Sequence, residues 1–268
     1  IRLNCMIFPI TQIMRKTVID GSNTSGFQRS VLIGLNGYLE TQYGKVDIQS
    51  ICLEEDAARI IGKENGRSVF RLDRLGIPLV EIATAPDIKS PEQAKEVALH
   101  IGDILRSVKV KRGLGTIRQD INISISKGAR VEIKGVQDMN IFIKTIENEI
   151  KRQKEWIELG KKLEPEVRNA LPDARTEFLR PMPGAFRMYP ETDLPLLKIS
   201  KQMVDDAKRD LPKLRKDIEK ELKKEGLDEE TIRMLFRRNM LNEFKELVKI
   251  INKPSLVAKI ILVYPKDI

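Results

Sequence analysis

Three adjacent carboxylates, Glu54-Glu55-Asp56, close a β-rich run, and a fourth, Glu81, interrupts the apolar stretch Pro78 to Ile82. A carboxylate in an apolar strand is costly to bury alone, so Glu81 is expected to meet Arg71, Arg74 or a metal. If the two runs adjoin, Glu55 and Glu81 together can hold one Mg²⁺, with water and a nucleotide phosphate completing its shell. The alternative for the triplet is a solvated helix start. A second candidate is Asp20-Gly-Ser-Asn-Thr-Ser-Gly26, where Ser22, Asn23, Thr24 and Ser25 offer hydroxyl, amide and backbone N–H groups to an anion. Lys16 and Arg29 stand at its two ends and supply charge. It has no P-loop spacing, and its plainer reading is a soluble hairpin loop. A third is polar alternation. Arg118, Asp120 and Asn122 recur at period 2, as do Glu132 and Lys134, which gives one polar face that either does chemistry or meets water. Finally, Arg187-Met-Tyr-Pro-Glu-Thr-Asp193 holds Arg, Glu and Asp on a Pro-bounded turn.

These residues need a sheet to hold them. Residues 12–19, 29–35, 46–53, 68–72 and 79–83 read as strands bounded by Gly, Pro, Asn and Asp, so the first half is expected to be built mostly from hairpins. Ser90-Pro-Glu-Gln, followed by an apolar stripe from Ala94 to Leu105, predicts a helix over 91–107. Residues 116–126 and 130–136, around a Lys127-Gly128 turn, predict a hairpin whose Ile and Val face is buried. A helix over 139–162 is expected to be capped by Asp138, and the Pro-rich stretch from Pro172 to Pro195 can form only extended segments and turns. From Ser200 onward the pattern is helical, over 200–224, 228–239, 242–251 and 255–263. The fold class is therefore α+β, a largely antiparallel sheet domain over 1–197 followed by a helical domain over 198–268.

Composition excludes several classes. The chain has 268 residues, with 41% hydrophobic and 32% charged, enough for a core and too patterned for disorder. Its longest apolar runs fall far short of a membrane span, and no leader-type segment reads at its start, so a cytoplasmic location is expected. Two cysteines without a CxxC pair and a single histidine, His100, leave neither a zinc cluster nor a multi-histidine metal site, so any metal must be held by oxygens. The net charge of +9 comes from 48 basic and 39 acidic residues spread along the chain, which suits a polyanionic partner or a heavily charged surface.

DGSNTSGFQR (20–29), CLEEDAAR (52–59), RLDRLGIPLVEIATAPDI (71–88), GLGTIRQDINIS (113–124), RVEIKGVQDM (130–139) and RMYPETDLP (187–195), in this order, resemble the GatB/GatE family of tRNA-dependent amidotransferase subunits. The first segment favours the E branch. The resemblance implies a cradle-shaped kinase and amidotransferase domain, with helical and tail domains that grip tRNA. It implies ATP- and Mg²⁺-dependent phosphorylation of the glutamate side chain on Glu-tRNA(Gln), followed by amidation with ammonia. That ammonia would come from an asparaginase-like amidotransferase partner of the D type in a heterotetramer, away from any membrane. Glu55 and Glu81 match metal positions, with Glu54 as a neighbour able to substitute. Arg118, Asp120, Glu132 and Lys134 match the reaction cavity, and Arg29 is expected to stabilise transferring charge. No Gly-Leu-Glu-x-His strand precedes Met14, no synthetase-like insertion stands near 163–167 and no tail domain follows, so an incomplete chain is expected. A tRNA-binding remnant without catalysis is the alternative.

Overall fold

The computed structural model describes residues 1–111, 113, 115–184 and 187–263. Strands β1 (Met6–Ile7), β2 (Ile10–Thr11), β3 (Ile13–Thr17), β4 (Phe27–Thr41), β5 (Gly44–Glu55), β6 (Arg59–Glu64), β7 (Arg67–Arg71) and β8 (Pro78–Thr84) precede helix α1 (Pro91–Ser107). Next come β9 (Ile121–Ile123), β10 (Val131–Lys134), α2 (Phe142–Glu158), β11 (Glu166–Ala170), β12 (Thr176–Pro181), β13 (Met188–Pro190) and β14 (Leu197–Lys198). Helices α3 (Lys201–Arg209), α4 (Arg215–Lys224), α5 (Glu229–Arg237), α6 (Leu241–Ile250) and α7 (Pro254–Leu262) complete the chain. The fold is α+β, as the alternating and helical patterns predict.

A long β4–β5 hairpin organises the main sheet, whose strand order is β13-β3-β4-β5-β8, with β1 also paired to β4. Gln42 and Tyr43 turn the hairpin between Thr41 and Gly44, which face each other in the ladder. Alternation buries Leu39, Val46 and Ile48 on one side. Gly37 is required because a Cβ there would lie 2.2 Å from the carbonyl oxygen of Leu3, whose segment crosses close above the strand.

A second sheet has the order β12-β11-β10-β9. Its β9–β10 pair is the expected hairpin, with β9 cut to three residues and the turn at Lys127-Gly128 closed by Gly128 N–H donating to Ile125 O at 2.9 Å. The β10–β11 pair is parallel, with α2 as its crossover. Phe142 and Ile146 pack on Ile123, Val131 and Ile133. One turn later the same helix buries Glu149 and Gln153. Glu149 pairs with Arg152 at 2.8 Å, and Arg152 and Arg168 each reach Glu166 at 2.9 Å, so the buried charge is balanced. Asp138 does not cap this helix: its carboxylate accepts from Asn140 N–H, and Ile141 occupies the N-cap position.

The chain divides into two compact units, Ile1–Gly102 with Lys111–Asp210, and Asp103–Val110 with Leu211–Ile268. The second has its own core of Leu222, Ile232, Leu235, Phe244, Val257 and Leu262. The helix expected over 200–224 is broken into α3 and α4 around Pro212, which has no N–H to continue the ladder. Among the described residues from 201 to 263 there is no strand, and no helix of the described residues is long and apolar enough to cross a membrane.

Candidate functional site

The candidate residues gather at the end of the main sheet where β3 leaves for the loop 18–26 and where β5 ends in Glu54 and Glu55. Ladder register decides which of them meet. Lys16 pairs with Gln28, Ser30 with Glu54, and Cys52 with Glu81, so these six side chains project from one face. On that face Glu54 is buried and accepts from Lys16 Nζ at 2.9 Å, Ser30 Oγ at 2.9 Å and Gln28 Nε2 at 3.2 Å. Glu81 opens to solvent at the surface of the sheet and, among the described residues, has neither a hydrogen bond nor an ion pair; Arg71 and Arg74 do not reach it. The protein around it displaces hydration and raises its pKa above the usual carboxylate range, and the Glu54 charge adds to the effect.

The polar face of the β9–β10 hairpin lies close enough to act on Glu81, Asp120 raising its pKa further and Lys134 opposing. Lys134 donates to Asp120 at 2.6 Å and pairs with Glu132. Burial works to lower the lysine's pKa, but its bonds to Asp120 and Glu132 outweigh it and hold the ammonium charged. Asn122 stands opposite Glu132 in the ladder. Arg118 turns elsewhere, to Asp56 at 3.1 Å. Asp56 in turn ties down the connection to β8, its N–H donating to Ile77 O and its carbonyl accepting from Gly76 N–H.

The opposite face of the same sheet end carries a different cluster. Arg15 pairs with Arg29 in the ladder, and both guanidinium groups lie over the Phe27 ring at 4.4 and 5.2 Å. Between them stands Glu191, whose side chain is wholly buried: it bonds Arg15 and accepts from Arg29 Nε at 2.7 Å and from Asp193 N–H at 2.8 Å. The Arg15 bond, with help from the Asp193 N–H and Arg29, holds its pKa down to about 2. Arg29 also reaches Glu55 at 3.1 Å, and Arg15 reaches Asp193 at 2.8 Å.

This register corrects two expectations. Glu55 pairs with Pro78 and Glu81 with Cys52, so the two carboxylates leave opposite faces and cannot share one ion; Glu54, one residue earlier, shares the face of Glu81. Lys16 and Arg29 likewise leave opposite faces, so they do not clamp one phosphate together. In the loop, Ser22 O accepts from Ala58 N–H, Asn23 is buried with its carbonyl holding Gly26 N–H, and Thr24 and Ser25 are exposed.

Glu54 and Glu81 offer the donor chemistry that a magnesium ion takes. They are two carboxylates on one face, one raised in pKa partly by the other's charge, and Mg²⁺ takes one or two carboxylates with phosphate and water. Among the described residues no group of three or more acidic, Cys or His side chains gathers for a tighter cage. Arg15, Gln28 and Ser30 were not singled out from sequence, because on a strand they look like ordinary polar positions. The only signal available was their place beside the glycine- and hydroxyl-rich loop.

The sequence profile of the GatB/GatE catalytic domain matches residues 1–205. The chain belongs to the GatB/GatE family. Among curated relatives of this GatB/GatE chain, the E subunit of glutamyl-tRNA(Gln) amidotransferase from Methanocaldococcus jannaschii is 34% identical, the match covering 96% of this chain and 63% of the relative. The proteins of the same name from Methanothermobacter thermautotrophicus and Pyrococcus furiosus are 33% and 34% identical, covering 97% and 95% of this chain. The chain thus spans about 63% of the length of the relatives it matches.

Proposed function

We propose that this chain carries the phosphorylation and amidation site of an ATP-dependent amidotransferase that converts Glu-tRNA(Gln) to Gln-tRNA(Gln). Residues 1–210 act as the catalytic, cradle-type domain and the helices beyond as a tRNA-contacting module, with ammonia supplied by an asparaginase-like partner of the D type. The observation that carries the reading is the pairing of Glu54 and Glu81 on one face, beside the Asp120 and Lys134 hairpin. The alignment with the Methanocaldococcus relative runs over 395 positions, longer than this chain, which supports an inserted segment in that relative.

In the first step a side-chain carboxylate oxygen of the glutamyl group bonds the γ-phosphorus of ATP while the bond to the β-phosphate bridging oxygen breaks and ADP leaves. In the second, ammonia bonds the acyl carbon and phosphate departs. Glu54 and Glu81 would hold Mg²⁺, which when bound neutralises charge on the transferring phosphoryl group. Glu54 is held in place by Lys16, Ser30 and Gln28. Lys134, the cation that the hairpin face brings beside Glu81, stands where negative charge grows, with Asp120 and Glu132 fixing its position. Of the loop hydroxyls Thr24 is open to the nucleotide phosphates, whereas Ser25 donates to Phe27 O at 2.9 Å, and Arg29 braces the strand behind them.

The test is γ-phosphate release from ATP by this chain, with Glu-tRNA(Gln), an asparaginase-like D-type partner and asparagine present. Release that depends on the glutamyl group, with Gln-tRNA(Gln) formed, supports the reading. Binding of Glu-tRNA(Gln) without release would instead make the chain a carrier of tRNA.

A further inference from the structure

We propose that the β6–β7 ribbon is a phosphate-binding surface for RNA, taking the end of a helical stem whose single-stranded 3′ tail enters the neighbouring site. The inference deepens the reading above and rests on it. In the ribbon, Arg59 pairs with Arg71, Gly62 with Val69 and Glu64 with Arg67, so three arginines share one face. The other face carries Phe70, which lies against Gly21 of the hydroxyl-rich loop and turns that side toward the body of the domain. The arginine face is therefore the outer one, and Arg59, Arg67 and Arg71 are all exposed.

Two features of this face call for an anion. Arg59 and Arg71 stand directly opposite each other, a like-charge pair that weakens a ladder unless something negative lies between them. Yet the one ion pair on this face among the described residues is Arg59 to Asp73 at 3.6 Å, and Arg67 and Arg71 have none. Guanidinium groups in this state bind phosphodiester oxygens with paired N–H donors.

The origin of the ribbon says which anion. Its two strands leave and rejoin the sheet at Asp56 and Ile77, joined by the Asp56 N–H to Ile77 O bond of 2.8 Å, and Asp56 also holds Arg118. The ribbon thus rises from the rim of the Glu54, Glu81 and Asp120 site. A substrate carried on the 3′ end of an RNA that approaches Glu81 from this edge brings the last phosphates of its carrier past the ribbon.

The test uses the full chain carrying Arg59→Glu, Arg67→Glu and Arg71→Glu together, with a hairpin RNA minihelix ending in a single-stranded 3′ tail as probe. Affinity is followed by fluorescence anisotropy between about 50 and 200 mM salt. The variant is expected to bind at least about tenfold more weakly, and the slope of log affinity against log salt should shrink by about 3, roughly one per phosphate contact. An Arg→Lys triple variant keeps the slope, and Arg→Gln replaces the Glu variant should the latter fail to fold. A folded charge-reversed variant with unchanged affinity and slope overturns the proposal. So does one that keeps RNA affinity but loses its protein partner, which would make the ribbon a protein-docking face. A wild-type chain that binds no minihelix overturns the tRNA reading, and the ribbon's role with it.

Discussion

The two faces of one sheet end hold nearly the same kinds of side chain and put them to opposite uses. On the Glu191 face each of the charges named is ion-paired: two arginines, two glutamates and an aspartate form one connected set stacked on Phe27. On the Glu81 face the count stays open, because Lys16 satisfies Glu54 while Glu81 keeps no partner among the described residues. Closed sets stiffen a fold, whereas an unanswered carboxylate beside another is a group waiting for a cation. Both come from one register, in which neighbouring residues such as Glu54 and Glu55 leave in opposite directions.

The largest test of this contrast is Glu81→Gln, which should reduce phosphorylation of the glutamyl group by about 100-fold or more, read by single-turnover γ-phosphate transfer. It should leave the thermal midpoint unchanged or raise it. A carboxylate whose folded pKa is raised favours the fold below its unfolded value near 4.5 and loses that contribution as pH rises through the folded pKa, so at neutral pH its charge disfavours the folded state. Clear destabilisation by this substitution would mean that Glu81 belongs to a closed set after all.

Glu191→Gln should do the reverse, lowering the thermal midpoint by roughly 5 °C or more because two guanidinium groups lose their shared acceptor. Glu191 has a lowered pKa, so its contribution is present above about 4.5 and fades as pH falls toward about 2. Urea midpoints of wild type and variant should therefore converge across that window. A gap that stays constant down to the lowest pH would rule out the charge-based account.

A smaller effect is expected from Ser30→Ala, which removes one of three donors to Glu54 from a buried position. It should cost about 1 kcal/mol of stability by denaturant titration and lower turnover a few-fold, since Lys16 and Gln28 remain. A loss of turnover equal to that of Glu81→Gln would give the hydroxyl a direct part in the chemistry.

Sequence patterns located α1 to the residue, and the strands now labelled β3, β4, β5, β7 and β8 to within a few positions at most ends, because caps, prolines and alternation are local signals. They missed β6, whose own residues are mostly exposed and show no burial-driven alternation, and the parallel β10–β11 pair, since partner choice across a crossover is not a local property. They joined α3 to α4 because the apolar stripe resumes after Pro212. At the site, Glu81, Asp120 and Lys134 stood out by type and spacing and do lie together. The choice between Glu54 and Glu55 was not legible, because a one-residue difference reverses the face and only the partner strand's register fixes it. Glu191 stood in a motif, but nothing near it in sequence announced that Arg15 and Arg29 would close around it.

The span of the Arg15 to Glu191 contact has a consequence for how the chain is made. Ser30 and Glu54 are 24 residues apart and meet through a hairpin, whereas Arg15 and Glu191 are 176 residues apart. Closing the longer loop costs more chain entropy and must wait for far more of the polypeptide. On a ribosome the β4–β5 hairpin can form soon after it emerges, but Arg29 has only Glu55, and Arg15 only water, until β13 and Glu191 are synthesised. The nascent domain therefore acquires its Glu54 pocket early and its rigid backing last, so until then the half-built sheet presents a positively charged, unlatched edge to whatever assists its folding.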